Sequence, residues 1–159
     1  MGEICLTLNP NIDYQQRMSF IGQFPVRLDA KNRAFMPAGF RRILQQSDSQ
    51  TLVVRKDYFE NCLVVYPAQQ WQDEIARVRA KLNRFDGNQQ MVYRKLVSEA
   101  QEVQLDSNGR MLLPQSLLDK VGIKQDALFV GMEQTIEIWP IRRKVSGLSK
   151  ATVSIPTSM

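Results

Sequence analysis

One twelve-residue frame occurs twice in this chain, and it restricts what the chain can fold into. Residues 26–37 and 103–114 both fit Val-x-Leu-Asp-x-x-x-Arg-x-x-x-Pro. Val26, Leu28, Asp29, Arg33 and Pro37 answer Val103, Leu105, Asp106, Arg110 and Pro114 at a constant separation of 77 residues. Further on, Tyr66-Pro67 answers Trp139-Pro140 at a separation of 73, so the second copy is four residues shorter in a loop. The chain is a tandem duplication, and a repeat decides architecture before any single element does. One copy of about 45 residues buries too little apolar surface to stand alone. The two copies are expected to share one core.

Each copy can be read locally. Val26 and Leu28 flank polar Arg27, the alternation of a half-buried strand. The Asp29 and Asp106 carboxylates can accept bonds from backbone N–H groups just downstream and open a turn. Asn32 and Gly109 stand where a left-handed residue closes a tight loop. Return strands start at Arg33 and Arg110. Pro37 and Pro114 end them and suit a first helical position. Short helices should follow, over 38–45 and 115–121, with Phe40, Ile43 and Leu44, and Leu117, Leu118 and Val121, on their inner faces. Leu52-Val53-Val54 and Cys62 to Tyr66 then read as strands, answered by Ala127 to Val130 and Thr135 to Trp139. The fold class is α+β, mainly β.

Between the copies, Trp71, Ile75, Val78 and Leu82 recur at helical spacing. Asp86-Gly87-Asn88 breaks that helix, and a second runs to about Ala100. This helical pair is expected to pack on the strand core. The organisation is then 1–22 N-terminal extension and lead-in, 23–70 first repeat, 71–99 helical linker, 100–143 second repeat and 144–159 flexible polar tail. Residues before Met18 have no counterpart in the second copy, and the native start is expected at Met18.

Enzymatic chemistry finds little support. The chain has no histidine, which removes the commonest general base and metal ligand. It has no glycine-rich phosphate loop, no Gly-x-Ser-x-Gly and no Cys-x-x-Cys. No catalytic residue, metal site, cofactor or small-molecule substrate is expected. Cys5 and Cys62 are isolated, and Cys62 reads as a small buried apolar residue. No apolar run is long enough to cross a membrane, and residues 1–12 lack the basic start of a secretory signal. A cytoplasmic location follows.

Charge informs only through its distribution. Of the net +5, four charges belong to Arg142, Arg143, Lys144 and Lys150, which leaves +1 for residues 1–141. Within 23–67, seven basic residues face four acidic ones; within 100–141, three face six. The copies therefore have opposite characters, +3 and −3. Drift on solvated faces is the bland account. The clustering of Arg27, Lys31, Arg33, Arg41 and Arg42 around one turn and helix favours a single electropositive patch on the first repeat.

The paired motifs resemble the MraZ family, whose members carry two AbrB-like (SpoVT-AbrB) swapped-hairpin units in one chain. The resemblance runs from about Met18 to Arg143 and includes Phe20-x-Gly22, both Asp-x-x-x-Arg motifs, both prolines, Tyr66-Pro67 and Trp71. Asn32 departs from the family's usual Gly, a change that the left-handed conformation tolerates. The resemblance implies an intertwined swapped-hairpin β-barrel, with short helices and a helical linker outside. It implies a transcriptional regulator, acting as a repressor, of the bacterial division and cell-wall gene cluster, including its own gene. The protein would be nucleoid-associated, form a ring-like homo-oligomer, and bind double-stranded DNA at tandem operator repeats. Carried onto this chain, the contacting positions are Arg27, Lys31, Arg33, Arg41, Arg42 and Arg110. Asp29, Asn32, Asp106 and Gly109 would hold the turns. Leu118 and Asp119 replace the Arg41-Arg42 pair in the second copy, so the first repeat is expected to carry most of the contact. Arg33 and Arg110 could instead only brace their own turns. An AbrB-like antitoxin or another protein-binding oligomeric module is the alternative, and a structural oligomer without a DNA role is a third.

Overall fold

The computed structural model describes residues 19–143 and 151–153. The expected extension and start at Met18, and most of the expected tail, lie outside the described residues. The chain runs β1 (Gln23–Arg27), β2 (Arg33–Phe35), α1 (Ala38–Gln46), β3 (Thr51–Lys56), β4 (Leu63–Pro67), α2 (Ala68–Lys81) and α3 (Gly87–Glu99). It continues with β5 (Gln101–Gln104), β6 (Arg110–Leu112), α4 (Gln115–Val121), β7 (Asp126–Gly131), β8 (Ile136–Arg143) and β9 (Ala151–Val153). β9 pairs with β8, so three residues of the stretch read as a tail are strand.

The two repeats are interleaved. The main sheet runs β1-β7-β8-β4-β3-β5, and β2 pairs with β6 in a separate two-stranded ribbon. Exchanging the repeats turns β1 into β5, β7 into β3 and β8 into β4, which leaves that strand order unchanged. The registers agree. Ala34 faces Met111 and Val64 faces Glu137, and these are equivalent residues at separations of 77 and 73. A pseudo-twofold axis therefore passes through both pairs. β1 and β2 do not form a hairpin ladder with each other; each pairs with a strand of the other copy. Closure into a barrel, expected from the resemblance, is not found: the path is open and ends at β1 and β5.

One core serves both halves, as the instability of a single copy requires. Phe20, Leu28, Met36, Phe40, Leu44, Leu52 and Val54 from the first half pack with Met111, Leu113, Leu117, Leu118, Val121, Phe129, Ile136 and Ile138 from the second. Phe20 and Phe24 meet Phe40 edge-to-face at 5.4 and 5.2 Å. Helices α1 and α4 lie where the patterns place them, but Pro37 and Pro114 sit one residue earlier than expected. They take extended backbone at the N-cap rather than the first helical position. Gly122 ends α4 with φ of 74°, the left-handed stop that glycine permits.

The linker departs from its expected packing. Ile75 and Gln70 of α2 are buried, and Trp71 meets Tyr66 edge-to-face at 5.3 Å. On α3 only Leu96 is buried, while Met91, Val92 and Val97 are exposed, as is Phe85 before the helix. Asp86, read as a breaker, is the N-cap of α3: its Oδ1 accepts from the backbone N–H groups of Asn88 at 2.9 Å and Gln89 at 3.3 Å. Among the described residues no helix is long and apolar enough to cross a membrane.

Candidate nucleic-acid interface

The ribbon β2–β6 lies on the pseudo-twofold axis, and strand alternation decides its two faces. Ala34 and Met111 are 0% exposed and face the core. Their neighbours Arg33, Phe35, Arg110 and Leu112 therefore share the opposite face. Arg33 lies opposite Leu112, and Phe35 opposite Arg110. The two arginines are diagonal neighbours, about 7–8 Å apart at their backbones. One sits on each side of the axis, on one surface.

The two turns that precede the ribbon are built alike. Asp29 Oδ1 accepts from the backbone N–H groups of Lys31 and Arg33, both at 2.9 Å. Asp106 Oδ1 accepts from those of Asn108 at 2.8 Å and Arg110 at 2.9 Å. Each Oδ2 takes a bond from the arginine Nε of its own motif, 2.7 Å for Asp29–Arg33 and 3.2 Å for Asp106–Arg110. The Arg33 backbone N–H is the largest cause holding the Asp29 carboxyl below its ordinary range. For Asp106 it is the Arg110 backbone N–H. Asn32 and Gly109 close the turns with φ of 62° and 78°. Their carbonyls accept from the other copy: Leu113 N–H to Asn32 O and Met36 N–H to Gly109 O, both at 2.9 Å.

The turns are thus tied across the axis, and this redistributes the expected basic patch. Helix α1 follows the first turn in sequence but packs over the second. Arg41 Nη1 donates to the Asn108 carbonyl at 3.4 Å, and a side chain at Gly109 would collide with Arg41. Over the first turn lies α4, where the Asn32 side-chain amide donates to Gln115 Oε1 at 2.6 Å and Gln115 donates to Asp119 Oδ1 at 2.7 Å. Arg41 therefore joins Arg110, not Arg33. The expected single cluster on the first repeat is replaced by a surface to which both repeats contribute.

The other candidates are placed as follows. Lys31 is exposed at the tip of the first turn, and Arg42 is exposed on α1. Arg27 ends β1 opposite Asp126, with Nη2 3.5 Å from Gln125 Oε1. Two cations counted toward the +3 of the first copy serve elsewhere. Arg55 is 7% exposed; it donates to Tyr66 Oη at 2.6 Å and lies over the Tyr58 ring at 4.8 Å. Lys56 Nζ donates to the carbonyls of Asp57 and Glu60. Sequence reasoning missed Phe35 and Leu112, which are 54% and 56% exposed. The signal was present: once Ala34 and Met111 face inward, a period of two turns these apolar neighbours outward.

Nothing in the described residues supplies a metal-binding group of three or more His, Cys, Asp or Glu side chains. Cys62 is fully buried, and burial pushes its thiol up to about 12. This keeps it protonated and unreactive.

Comparison with known proteins points one way. The family model described as "MraZ protein, putative antitoxin-like" matches residues 18–95 and 96–143. A protein of Phocaeicola vulgatus named transcriptional regulator MraZ is 43% identical over 122 residues, covering 77% of this chain and 79% of its own length. One of Bacteroides fragilis with the same name is 41% identical over 124 residues, 78% of each chain. One of Treponema pallidum, again so named, is 34% identical over 121 residues, 76% of this chain and 78% of its own length. With both repeats matched and most of each relative covered, the chain belongs to the MraZ family.

Proposed function

We propose that this protein is a DNA-binding transcriptional regulator that reads double-stranded DNA with the outer face of the β2–β6 ribbon. The observation that carries the reading is the placement of Arg33 and Arg110 on one exposed face across a pseudo-twofold axis. A two-stranded ribbon fits the major groove. Each arginine uses Nε to hold its own aspartate, and its remaining N–H groups suit a phosphate or the O6/N7 edge of guanine. Lys31, Arg41 and Arg42, with Arg27 beside the first turn, supply phosphate contacts. The relatives' shared name supports a regulatory role, as does the cross-repeat pairing, which serves as a one-chain version of an AbrB-like swapped hairpin. The target is the promoter of the division and cell-wall gene cluster, including the protein's own gene. The protein represses it by binding short tandem repeats, and it therefore acts at the nucleoid.

Self-association belongs to the same reading. The apolar residues that α3 leaves exposed (Met91, Val92 and Val97, with Phe85 before the helix) support a homo-oligomer. A ring of copies on tandem repeats would bind more tightly than any one copy through effective concentration. The test is fluorescence anisotropy with duplex DNA from upstream of the protein's own coding sequence, at two salt concentrations. Arg33→Ala and Arg110→Ala should each weaken binding by about 1–3 kcal/mol if they read base edges. Arg41→Ala should flatten the salt dependence, the sign of a lost phosphate contact. If folded Arg33→Ala and Arg110→Ala variants bind as the parent does, the ribbon is not the reading surface. Specific capture of a protein by a chain that binds no DNA would instead favour the antitoxin alternative.

A further inference from the structure

The outward face of the ribbon carries two apolar side chains that the core does not use. Phe35 and Leu112 are equivalent by the repeat, stand across the pseudo-twofold axis, and are each about half exposed. Each faces an arginine on the opposite strand: Phe35 faces Arg110, and Leu112 faces Arg33. The Arg110 guanidinium lies 5.6 Å from the Phe35 ring centroid. Apolar residues left in water at the centre of a face call for an occupant. Arginine and aromatic residues are enriched at protein interfaces too, but the basic side chains around this face, Lys31, Arg41 and Arg42, match a polyanion. Duplex DNA fits all four. Its major groove offers acceptors on guanine and one apolar group, the 5-methyl of thymine.

Resting on the DNA-binding reading above, we propose that Phe35 and Leu112 are specificity-determining residues that contact thymine methyl groups beside the bases met by Arg110 and Arg33. Each half of the ribbon then reads a guanine and a nearby thymine. The two halves are not equal, since an aromatic ring on one side answers a branched aliphatic chain on the other.

The experiment replaces thymine by deoxyuracil, which removes the methyl and leaves base pairing intact. The upstream duplex is prepared with thymidine throughout, with deoxyuridine throughout, and with single replacements. Each is titrated with the full-length parent, Phe35→Ala, Leu112→Ala and Phe35→Leu. The parent should lose about four-fold in affinity per contacted methyl, the factor for one methyl-sized group leaving an apolar contact. Phe35→Ala should bind both DNAs with nearly equal affinity at the position Phe35 reads, and Leu112→Ala likewise at a different position. Phe35→Leu, which keeps an apolar surface but loses the ring under Arg110, should retain a methyl preference. A parent that binds the upstream duplex specifically yet ignores every deoxyuracil overturns the proposal while leaving DNA binding intact. So does a Phe35→Ala variant that keeps the full methyl preference, or one that changes only the oligomeric state. Failure of the parent to bind any duplex would overturn the DNA-binding reading itself, and this proposal with it.

Discussion

Substitution at Gly109 separates backbone strain from the placement of Arg41. Gly109 holds φ of 78°, where an ordinary L-residue costs about 1–2 kcal/mol. Alanine also stiffens the unfolded chain, which returns about 0.4–1 kcal/mol. Gly109→Ala should therefore destabilise the fold by about 1 kcal/mol. Its Cβ would also stand 2.5 Å from Arg41 Cδ and 2.6 Å from Nη1. That side chain is flexible and its hydrogen bond to the Asn108 carbonyl is long, at 3.4 Å, so moving it adds a few tenths at most. Gly109→Asn is the control. Asparagine already holds the same conformation at Asn32, with φ of 62°, so it should cost little stability. Its Cβ displaces Arg41 all the same. Urea denaturation should thus rank parent and Gly109→Asn together above Gly109→Ala. Anisotropy titrations should give both variants the flattened salt dependence of Arg41→Ala. Equal destabilisation by Asn and Ala would refute the strain argument. A Gly109→Asn salt dependence like the parent's, with Arg41→Ala clearly altered, would refute the placement of Arg41 over the second turn.

Two further expectations concern titratable groups. Asp29 and Asp106 have depressed carboxyl pKa values in the folded state, so their contribution is complete above the unfolded value, about pH 3.9, and is lost as pH falls through the folded value. Melting temperature should drop below about pH 4, and less steeply in an Asp29→Asn/Asp106→Asn double variant; an identical acid profile would sink the assignment. With Cys62 pushed up to about 12, a Cys5→Ala variant should resist a thiol reagent at pH 8 when native and react fully in denaturant. Rapid modification of the native form would show that the thiol is not enclosed.

The parts legible in sequence are those that local chemistry decides. The aspartate turns, the left-handed residues at 32 and 109, the short helices and the strand runs each follow from a few neighbouring residues. What local chemistry cannot show is which strand pairs with which. Because β2 pairs with β6 rather than β1, α1 is carried over the other copy's turn. Counting charges along the sequence therefore put Arg41 in the wrong cluster. Arg55 misled for a related reason. β3 is buried on both faces from Leu52 to Arg55, so no alternation marks the arginine as inward, and its aromatic neighbour Tyr66 comes from the adjacent strand. On α3, helical spacing revealed a helix but could not reveal that only Leu96 finds the core.

The pseudo-twofold axis shows what duplication within one chain permits. In a dimer of identical copies, the residue on the axis meets itself. Here Ala34 meets Met111 at a fully buried position, a small side chain against a long flexible one. Two methionines would overfill the space between ribbon and core, and two alanines would leave a void. Ala34→Met should therefore cost about 1–3 kcal/mol by overpacking, and Met111→Ala about 2–5 kcal/mol by cavity formation. The exchange Ala34→Met/Met111→Ala conserves total volume across the axis, so it should recover much of both losses and be far less destabilising than their sum. Urea denaturation of the three variants measures this directly. A strictly additive double variant would mean that the two side chains do not share one space, and the axis would not lie where the strand register puts it. Recovery would mean that the halves have diverged as complements of each other. It would also follow that a freed single repeat, pairing with its own copy, meets the wrong residue on the axis.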